Sequence, residues 1–336
     1  LMTIKKKSSG LIDGISSAKF RQIGDSDAAD AVKRVTGVSV EGGKYVYVRG
    51  LGDRYTKTML NNVDIPGLDP DRNSLQIDIF PTNLLNNMVV YKTSVAELPA
   101  DFTGGVVNIE TKDFPEEKIF DISLGIGFNP EMHFNDQYLD YEGSDTDVFG
   151  FDTDTRELPS GADQENIPSP ISGDSDEVVG DFLRSFSPTL ASERETSMPD
   201  YSIGLSLGNQ KTLENDNKIG YIFSATYKNT KRYYDQSDYG EYQISKDPDV
   251  YELLFATVQD AEESTRNILL GGLAGLAYKT KNSKYSLNVM HLQNGESRTA
   301  RIAIDNNDEA IGQSGYTAVS DNLEYSERGL TNILLN

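Results

Sequence analysis

The side chains that carry most enzyme chemistry are scarce in this sequence of 336 residues. Cysteine is absent, which excludes thiolate nucleophiles, thiolate metal ligands and disulfides together. The two histidines, His133 and His291, show no metal-ligand spacing, and the abundant carboxylates are not paired by any motif. The sequence also lacks a nucleophile elbow, because its one Gly-x-Ser-x-Gly match, Gly204–Gly208, lies inside a run of alternating apolar and small residues. We therefore expect no enzymatic activity, no cofactor and no metal site.

Two glycine-rich segments share only part of the pattern of a nucleotide-binding loop. After Arg49-Gly50-Leu51-Gly52, the place of a third glycine is taken by Tyr55, and no helix pattern follows. Gly104-Gly105 is not followed by the Lys-Ser/Thr pair of a phosphate loop. We interpret both segments as backbone geometry, with glycines where φ is positive or where strands approach closely.

Charge and hydropathy narrow the class of protein further. The net charge of −22 argues against nucleic acid as a partner. The longest apolar run, residues 268–278, has about 11 residues, whereas a membrane helix needs roughly 18. Residues 1–4 are too few for the apolar core of a signal peptide. We expect either that a leader has been removed or that the sequence begins inside a longer chain.

Residues 1–115 carry the patterns of a small mixed domain. Asp25-Ser26-Asp27 can cap a helix, because apolar residues follow at helical spacing between residues 28 and 35. Gly37 is placed to end that helix. Short strands are predicted at residues 38–40, 45–48, 88–92 and 106–110, with a second helix or turn near 81–83. These elements predict an α+β domain that positions both glycine-rich segments.

Motifs between residues 8 and 112 occur in the order found in one protein family. They are Thr36-Gly37-Val38, Arg49-Gly50, Arg54-Tyr55, Leu60-Asn61, Pro66, and a closing segment that contains Gly104, Gly105 and Asn108. This stretch resembles the plug domain of TonB-dependent outer-membrane receptors. Asn61-Asn62 departs from the Asn-Gly common at that point. The Val-Asp-Gly-Val/Ile core of the SusC-like branch is missing, so the resemblance is not to that branch.

Residues 116–336 alternate apolar with small or polar residues, as strands with two different faces do. The alternation is clear at residues 120–129, 201–208 and 219–228, and further strands are predicted at 268–279, 284–292 and 322–336. Segments of about 10 alternating residues are typical of transmembrane barrel strands. In that arrangement the residues expected to face lipid include Leu124, Ile126, Leu205 and Phe223.

Connection lengths separate a membrane barrel from a water-soluble sandwich, which also alternates. The connections at residues 211–218 and 280–283 are short, whereas the predicted ones at 130–200, 231–265 and 296–321 are long. Short and long connections alternate in a membrane barrel, which has short periplasmic turns and longer extracellular loops. We therefore favour the barrel over the sandwich.

The longest connection is strongly acidic, with 18 Asp and Glu against three Arg between Glu131 and Asp200. Its Pro, Gly and Ser content argues against a packed core and favours a solvated surface loop. The other interpretation is a lid that attracts cations or closes over a substrate. Calcium suits carboxylate-rich loops, although no EF-hand pattern is complete here.

The resemblance implies an architecture and a location. Residues 1–115 are then an α+β plug domain, and residues 116–336 are the first antiparallel strands of a transmembrane β-barrel in the bacterial outer membrane. Barrels of about 22 strands are the ones with a plugged lumen. The barrel is therefore expected to be incomplete in this chain.

The resemblance also implies a function, which is energised import of a scarce small ligand such as a siderophore, cofactor, saccharide or peptide. The implied partners are TonB with ExbB and ExbD, and outer-membrane lipid. In the polar turn at residues 67–73, the candidate ligand contacts are Asp69, Asp71 and Arg72. Arg49 and Arg54 are expected to bind inward carboxylates of the barrel wall. The alternative is a receptor-like barrel that serves as a structural or assembly subunit among other outer-membrane proteins.

Overall fold

Two larger sheets pack against each other in the structure, which is a computed structural model. We call residues 10–111 the N-terminal unit and the six-stranded sheet between residues 119 and 335 the wall. The structure describes residues 10–16, 19, 28–41, 44–67, 75–80, 82–115, 117–153, 156–162, 167–213, 216–244, 247–307 and 315–336.

The N-terminal unit combines a short helix with strands. These elements are β1 (Ile12–Ser16), α1 (Ala28–Val32), β2 (Val38–Glu41), β3 (Tyr45–Val48), β4 (Thr56–Leu60), β5 (Val63–Asp64), β6 (Leu85–Tyr91) and β7 (Gly105–Thr111). One sheet has the strand order β1-β6-β7-β4-β5, in which β4 and β7 are parallel. β2 and β3 form a hairpin of their own.

Helix α1 packs its apolar side into the core of this unit, as its spacing predicts. Ala28, Ala31 and Val32 are fully buried beside strand residues such as Val90 and Val107. The predicted cap, Asp25-Ser26-Asp27, lies outside the described residues. Near residues 81–83 the chain forms a 3-10 turn, Thr82–Leu84.

The wall is a sheet in which neighbours in sequence are neighbours in space. The later strands of the chain are β8 (Ile119–Gly127), β9 (Tyr138–Asp140), β10 (Glu193–Glu195), β11 (Asp200–Thr212), β12 (Lys218–Ile244), β13 (Leu253–Lys279), β14 (Lys284–Asn306) and β15 (Tyr316–Leu335). The wall has the order β8-β11-β12-β13-β14-β15 with every pair antiparallel. β9 and β10 pair with each other in the long acidic connection.

The wall strands are much longer than the alternation predicts. β12 and β13 have 27 residues each and β14 has 23, whereas a membrane crossing needs about 9–11. The predicted long connections at 231–265 and 296–321 are therefore wrong, because the strands leave only residues 245–252 and 307–315 between them. In the parts of these strands that are far from the short turns, polar residues occupy both faces. The sequence therefore shows no alternation there, although the backbone hydrogen bonds continue.

The two faces of the wall differ in what covers them. On the inner face, Ile222, Leu269, Leu273, Met290 and Leu292 are buried in one cluster with core residues of the N-terminal unit. The alternate side chains form the outer face, which is apolar and exposed near the short turns. The sheet thus has an inner face that seats the N-terminal unit and an outer face that does not touch it.

Part of the acidic connection folds back onto the outer face. Tyr138 and Leu139 are buried, and the backbone N–H of Leu139 donates to Ser264 Oγ at 2.8 Å. The Tyr227 hydroxyl donates to the Val148 carbonyl at 2.9 Å. This corrects the interpretation as a wholly solvated loop, because the apolar residues among the carboxylates pack on the strands.

The docked part is also no lid over the N-terminal unit, since it lies on the opposite side of the wall. Further along the connection, α2 (Asp176–Arg184) begins at the N-cap Ser175, whose side chain accepts from the Val178 N–H. Of the helices in the described part of the chain, none has the length and apolar character to cross a membrane.

Candidate functional site

The Arg49-Gly50 pair forms a tight corner inside the N-terminal unit. Arg49 has φ 56° and Gly50 has φ 75°, the left-handed values of a type I′ turn. Arg49 Nη2 donates to the carbonyl oxygens of Thr103 and Gly104, each at 3.1 Å. These bonds tie this corner to the segment that leads into β7. That Arg49 also binds a carboxylate of the barrel wall stays a prediction.

The Gly104-Gly105 segment lies where strands approach closely, as interpreted from the sequence. A Cβ atom on Gly105 would come within 2.7 Å of Val48 Cγ1 and 2.8 Å of the Tyr91 carbonyl oxygen. The Gly104 N–H donates to the Tyr55 carbonyl at 2.8 Å. Tyr55 and Arg54 end the 3-10 turn Asp53–Tyr55, and both side chains are exposed. These contacts join the Arg-Tyr motif to the double glycine.

The Asn61-Asn62 corner between β4 and β5 shows why this chain departs from Asn-Gly. Both residues are left-handed, with φ 51° and 68°. The Asn62 N–H donates to Asn108 Oδ1 at 3.0 Å, and Asn108 Nδ2 donates to Asn62 Oδ1 at 2.8 Å. Asn61 Oδ1 accepts from the Thr111 N–H at 2.9 Å. Asn108 is buried, so this amide pair fixes the corner to β7.

The predicted ligand-contact turn follows β5. Leu60 is buried in the core, whereas Pro66 is exposed at the start of the turn. The candidate ligand contacts Asp69, Asp71 and Arg72 lie outside the described residues.

Apolar contact seats the N-terminal unit on the inner face of the wall. Ile79, at 6% exposure, lies against β13. A Cβ atom built on Gly271 would be 4.0 Å from Ile79 Cβ and 3.8 Å from Thr226 Cβ. A β-carbon at this position would thus be in ordinary van der Waals contact with the N-terminal unit and with β12.

A polar cluster beside this contact joins the same two parts. Lys228 Nζ of β12 binds Asp78 Oδ2 at 2.6 Å, and the Asp78 side chain is 1% exposed. Lys44 Nζ donates to Asn267 Oδ1 at 3.3 Å, and Asn267 Nδ2 donates to Glu296 Oε2 at 2.9 Å. Burial lowers the pKa of Lys44, while nearby Asp78 acts in the opposite direction.

The sequence reasoning missed every member of this cluster. One signal was available, because Lys228 falls on the small and polar side of the alternation at 219–228. A lysine on a face that packs against another unit needs a buried partner. Asp78 is 150 residues away in sequence, so the pattern could not identify it.

Comparison with protein families identifies the N-terminal unit. The sequence model of the TonB-dependent Receptor Plug Domain matches residues 5–106. Residues 5–106 are a TonB-dependent receptor plug domain. The expected fold class is confirmed, because this α+β plug is followed by antiparallel strands of the barrel type, which do not close within the described residues. The expected location in the bacterial outer membrane is confirmed with it.

Solved receptor structures are similar to this chain at low sequence identity. The unliganded ferric citrate transporter FecA is 13% identical, with TM-score 0.33, over 100% of this chain and 62% of that one. The outer-membrane transporter YddB from Escherichia coli is 12% identical, with TM-score 0.37, over 96% and 44%. The siderophore receptor PirA from Pseudomonas aeruginosa is 12% identical, with TM-score 0.35, over 98% and 56%.

This chain thus spans less than two thirds of the length of each of these proteins. A search of the curated proteins finds no match.

A polar cavity of about 330 Å³ separates the plug from β14 near the short turns. Its lining includes Asn62, Glu110 and Thr111 of the plug and Ser286 and Asn288 of the wall. At its edge, Lys284 forms an ion pair with Asp113. The plug therefore contacts the wall through a limited apolar patch and a polar cluster, with a polar space left beside them.

The residues predicted to face lipid all point away from the plug. Leu124 is 76% exposed, Ile126 83% and Phe223 39%. Leu205 is half-buried on the same face, since it lies directly opposite Ile122 and Ala225.

Proposed function

We propose that this protein is an energised importer of the outer membrane, which takes up a scarce small ligand when the plug moves on the wall. TonB, with ExbB and ExbD, supplies the work, and the ligand binds from the side of the long connections. The chain acts as a transporter and not as an enzyme. Residues 1–115 act as the plug, and residues 116–336 supply the first part of the barrel.

One observation carries the proposal, which is how the plug is seated. The contact with the wall combines an apolar patch around Ile79 with the buried pair Asp78–Lys228. Beside it lies the polar cavity of about 330 Å³. Hydrogen-bonding groups that become exposed when the plug moves can be satisfied by water, so movement costs less than opening a continuous apolar core. A contact of this kind suits a plug that leaves the wall and binds it again during each cycle of import.

The lipid-facing role of Leu124, Ile126, Leu205 and Phe223 belongs to the same proposal. These side chains lie on the face opposite the plug and are apolar. They form part of the band that a barrel presents to acyl chains.

A disulfide between plug and wall tests the proposal. The 4.0 Å between Ile79 Cβ and a Cβ at Gly271 falls in the range of disulfides, and the chain has no cysteine of its own. We expect the full receptor with Ile79→Cys and Gly271→Cys to lose nutrient uptake when oxidised and to regain it on reduction. The matched control, Thr226→Cys with Gly271→Cys, links two wall strands at 3.8 Å and leaves the plug free.

The assay is growth of a deletion strain complemented with each variant. It is supplied with iron, cobalamin, oligosaccharide or peptide as the limiting nutrient. Import is refuted if the deletion causes no defect on any of these, or if the oxidised plug–wall disulfide leaves growth unchanged.

A further inference from the structure

Strand β12 continues well past its neighbour on one side. β11 pairs with β12 only between Lys218 and Asn229, whereas β13 pairs with it as far as Ile244. Among the residues that the structure describes, no strand pairs with the other side of β12 between residues 230 and 244. The backbone N–H and C=O groups on that side of a strand form an edge with which another strand can pair.

The long connection covers the first residues of this edge and leaves the rest exposed. The Lys231 N–H donates to Asp200 Oδ1 at 2.7 Å, and Lys231 Nζ binds Glu195 Oε1 at 2.6 Å. From residue 234 to residue 244 every residue is exposed except Ser237, which is half-buried. We call residues 234–244 the free edge.

Two bulges enclose a regular stretch of the free edge. Register shifts lie between Tyr234 and Ser237 and between Glu241 and Tyr242. Between them, residues 237–241 pair one to one with residues 257–261 of β13. Strands in globular proteins are typically about 5–6 residues long. The regular stretch can therefore accept a strand of ordinary length without a break in register.

Exposed tyrosines flank this stretch on both faces of the sheet. Tyr239 is 59% exposed and Tyr242 is 56% exposed. The Tyr242 ring lies over Gly240, since a Cβ atom on that glycine would be 2.5 Å from the ring. Tyr242 therefore lies on the same face as Gly240, and Tyr239 lies on the other. Tyrosine combines an apolar ring with a polar hydroxyl and is enriched where proteins bind each other.

The charge of the free edge indicates which kind of strand it can accept. The acidic residues of the free edge and of the turn after it are Asp235, Asp238, Glu241, Asp247, Asp249 and Glu252. The free edge itself contains no Lys or Arg. A second copy of this edge would bring like charges together, which is unfavourable. A basic segment is attracted instead, and the net charge of −22 favours its approach.

We propose that the free edge binds an extended basic segment of another protein, which adds to the sheet as a strand beside residues 237–241. The backbone of the segment pairs with β12, and its side chains provide the specificity. Its Lys or Arg residues lie beside Asp238 and Glu241, and its apolar residues contact Tyr239 and Tyr242. The free edge begins about 20 Å along the strand beyond Lys228, where the apolar alternation ends, so the segment binds outside the membrane. The proposal does not use the contact between plug and wall, so its test is independent of the proposed import.

The test measures how three short peptides bind the full receptor in phosphatidylcholine nanodiscs, by fluorescence anisotropy. The Lys peptide alternates Lys with Val, and the Glu peptide has Glu in place of Lys. The methylated peptide is the Lys peptide with a methyl group on every backbone nitrogen, which keeps the charge and prevents strand pairing. The Lys peptide should bind at least about tenfold more tightly than either of the others. Once bound, it should slow amide hydrogen exchange at residues 237–241.

Charge reversal on the free edge should reverse the preference. Asp238→Lys with Glu241→Lys should weaken binding of the Lys peptide about tenfold or more and allow the Glu peptide to bind. The matched control is Asp260→Lys with Asp305→Lys, which makes the same change on β13 and β14. These two positions are paired on both sides and cannot accept a strand, so the control should weaken binding much less.

Asp238→Asn with Glu241→Gln guards against misfolding, because it removes the charges and keeps the shapes of the side chains. Unchanged binding of the Lys peptide to this variant would overturn the proposal. Equal binding of the Lys and Glu peptides, or unchanged binding after methylation, would overturn it too. Binding that leaves hydrogen exchange at residues 237–241 unchanged would place the peptide elsewhere and overturn it as well.

Discussion

Replacing Lys228 with Met should loosen the plug on the wall. Lys228 Nζ lies 2.6 Å from Asp78 Oδ2, and the Asp78 side chain is 1% exposed. The substitution removes the cation that this buried carboxylate contacts directly, and such changes cost about 3–5 kcal/mol. If the plug leaves the wall, water reaches Asp78 and the penalty disappears. The equilibrium for plug opening should therefore rise by at least about 100-fold.

A single cysteine on the wall measures this opening. Ser224 lies on the inner face, is 3% exposed and has no partner for its hydroxyl. Ser224→Cys is nearly isosteric, and its thiol is the only one in the chain. When opening is fast relative to labelling, the rate of maleimide labelling follows the open population. Lys228→Met should speed labelling by at least about 100-fold.

Lys57→Met provides the comparison within the plug. Lys57 binds Asp64 and Asp101, each at 2.6 Å, but these carboxylates are 46% and 67% exposed. Such pairs contribute about 0–1 kcal/mol, so labelling should change less than about fivefold. Similar labelling rates in the Lys228 and Lys57 variants would refute the reasoning that a buried pair holds the plug. The double variant Asp78→Asn with Lys228→Met should recover part of the loss, since neither charge of this pair remains.

Three further predictions follow from the fold. Leu124→Arg should lower the free energy of unfolding from lipid by urea by about 2–4 kcal/mol if the residue lies near the bilayer midplane. Arg at the neighbouring Ser123 should lower it much less. Equal losses would contradict the face assignment. Asn108→Ala should cost about 0.5–1.5 kcal/mol for each of its two hydrogen bonds to Asn62 that is lost, seen as a lower urea midpoint for the plug; an unchanged midpoint would contradict the amide pair. Because the folded pKa of Lys44 is lowered, the unfolded state binds more protons between that pKa and its ordinary value near 10.5, so stability should rise with pH across this window. Lys44→Met should flatten this rise, and an identical pH profile would argue against a buried ammonium.

The sequence was sufficient for the family and for the position of the first wall strands. Motifs such as Arg49-Gly50 and Gly104-Gly105 are local, and each is required by a corner or a close approach within a few residues. The alternation around Phe223 likewise distinguishes the side chains of the outer face from those that face the plug. These features depend on short stretches of sequence, so they can be predicted without knowledge of the whole fold.

The features that the sequence did not reveal depend on distant partners or on backbone alone. Lys44 meets Asn267 across 223 residues, and no spacing rule connects them. The parts of β12 and β13 far from the short turns are held by backbone hydrogen bonds, which any residue but proline can form. Their side chains are polar and show no alternation, so the sequence predicted loops there. The acidic connection was taken for solvated chain because carboxylates outnumber the few buried residues, such as Tyr138 and Leu139, that dock it.

The long connection also has a consequence for the order in which the wall assembles. β11 and β12 are separated by residues 213–217, whereas residues 128–199 separate β8 from β11. Loop-closure entropy grows with the logarithm of length, so closing the longer segment costs about 2 kcal/mol more. Strands β11 to β15 can therefore pair early in folding, while β8 pairs with β11 late. When Tyr138 and Leu139 dock on β13, the loop that remains to be closed between β8 and β11 becomes shorter. The acidic connection thereby helps β8 to pair with the sheet.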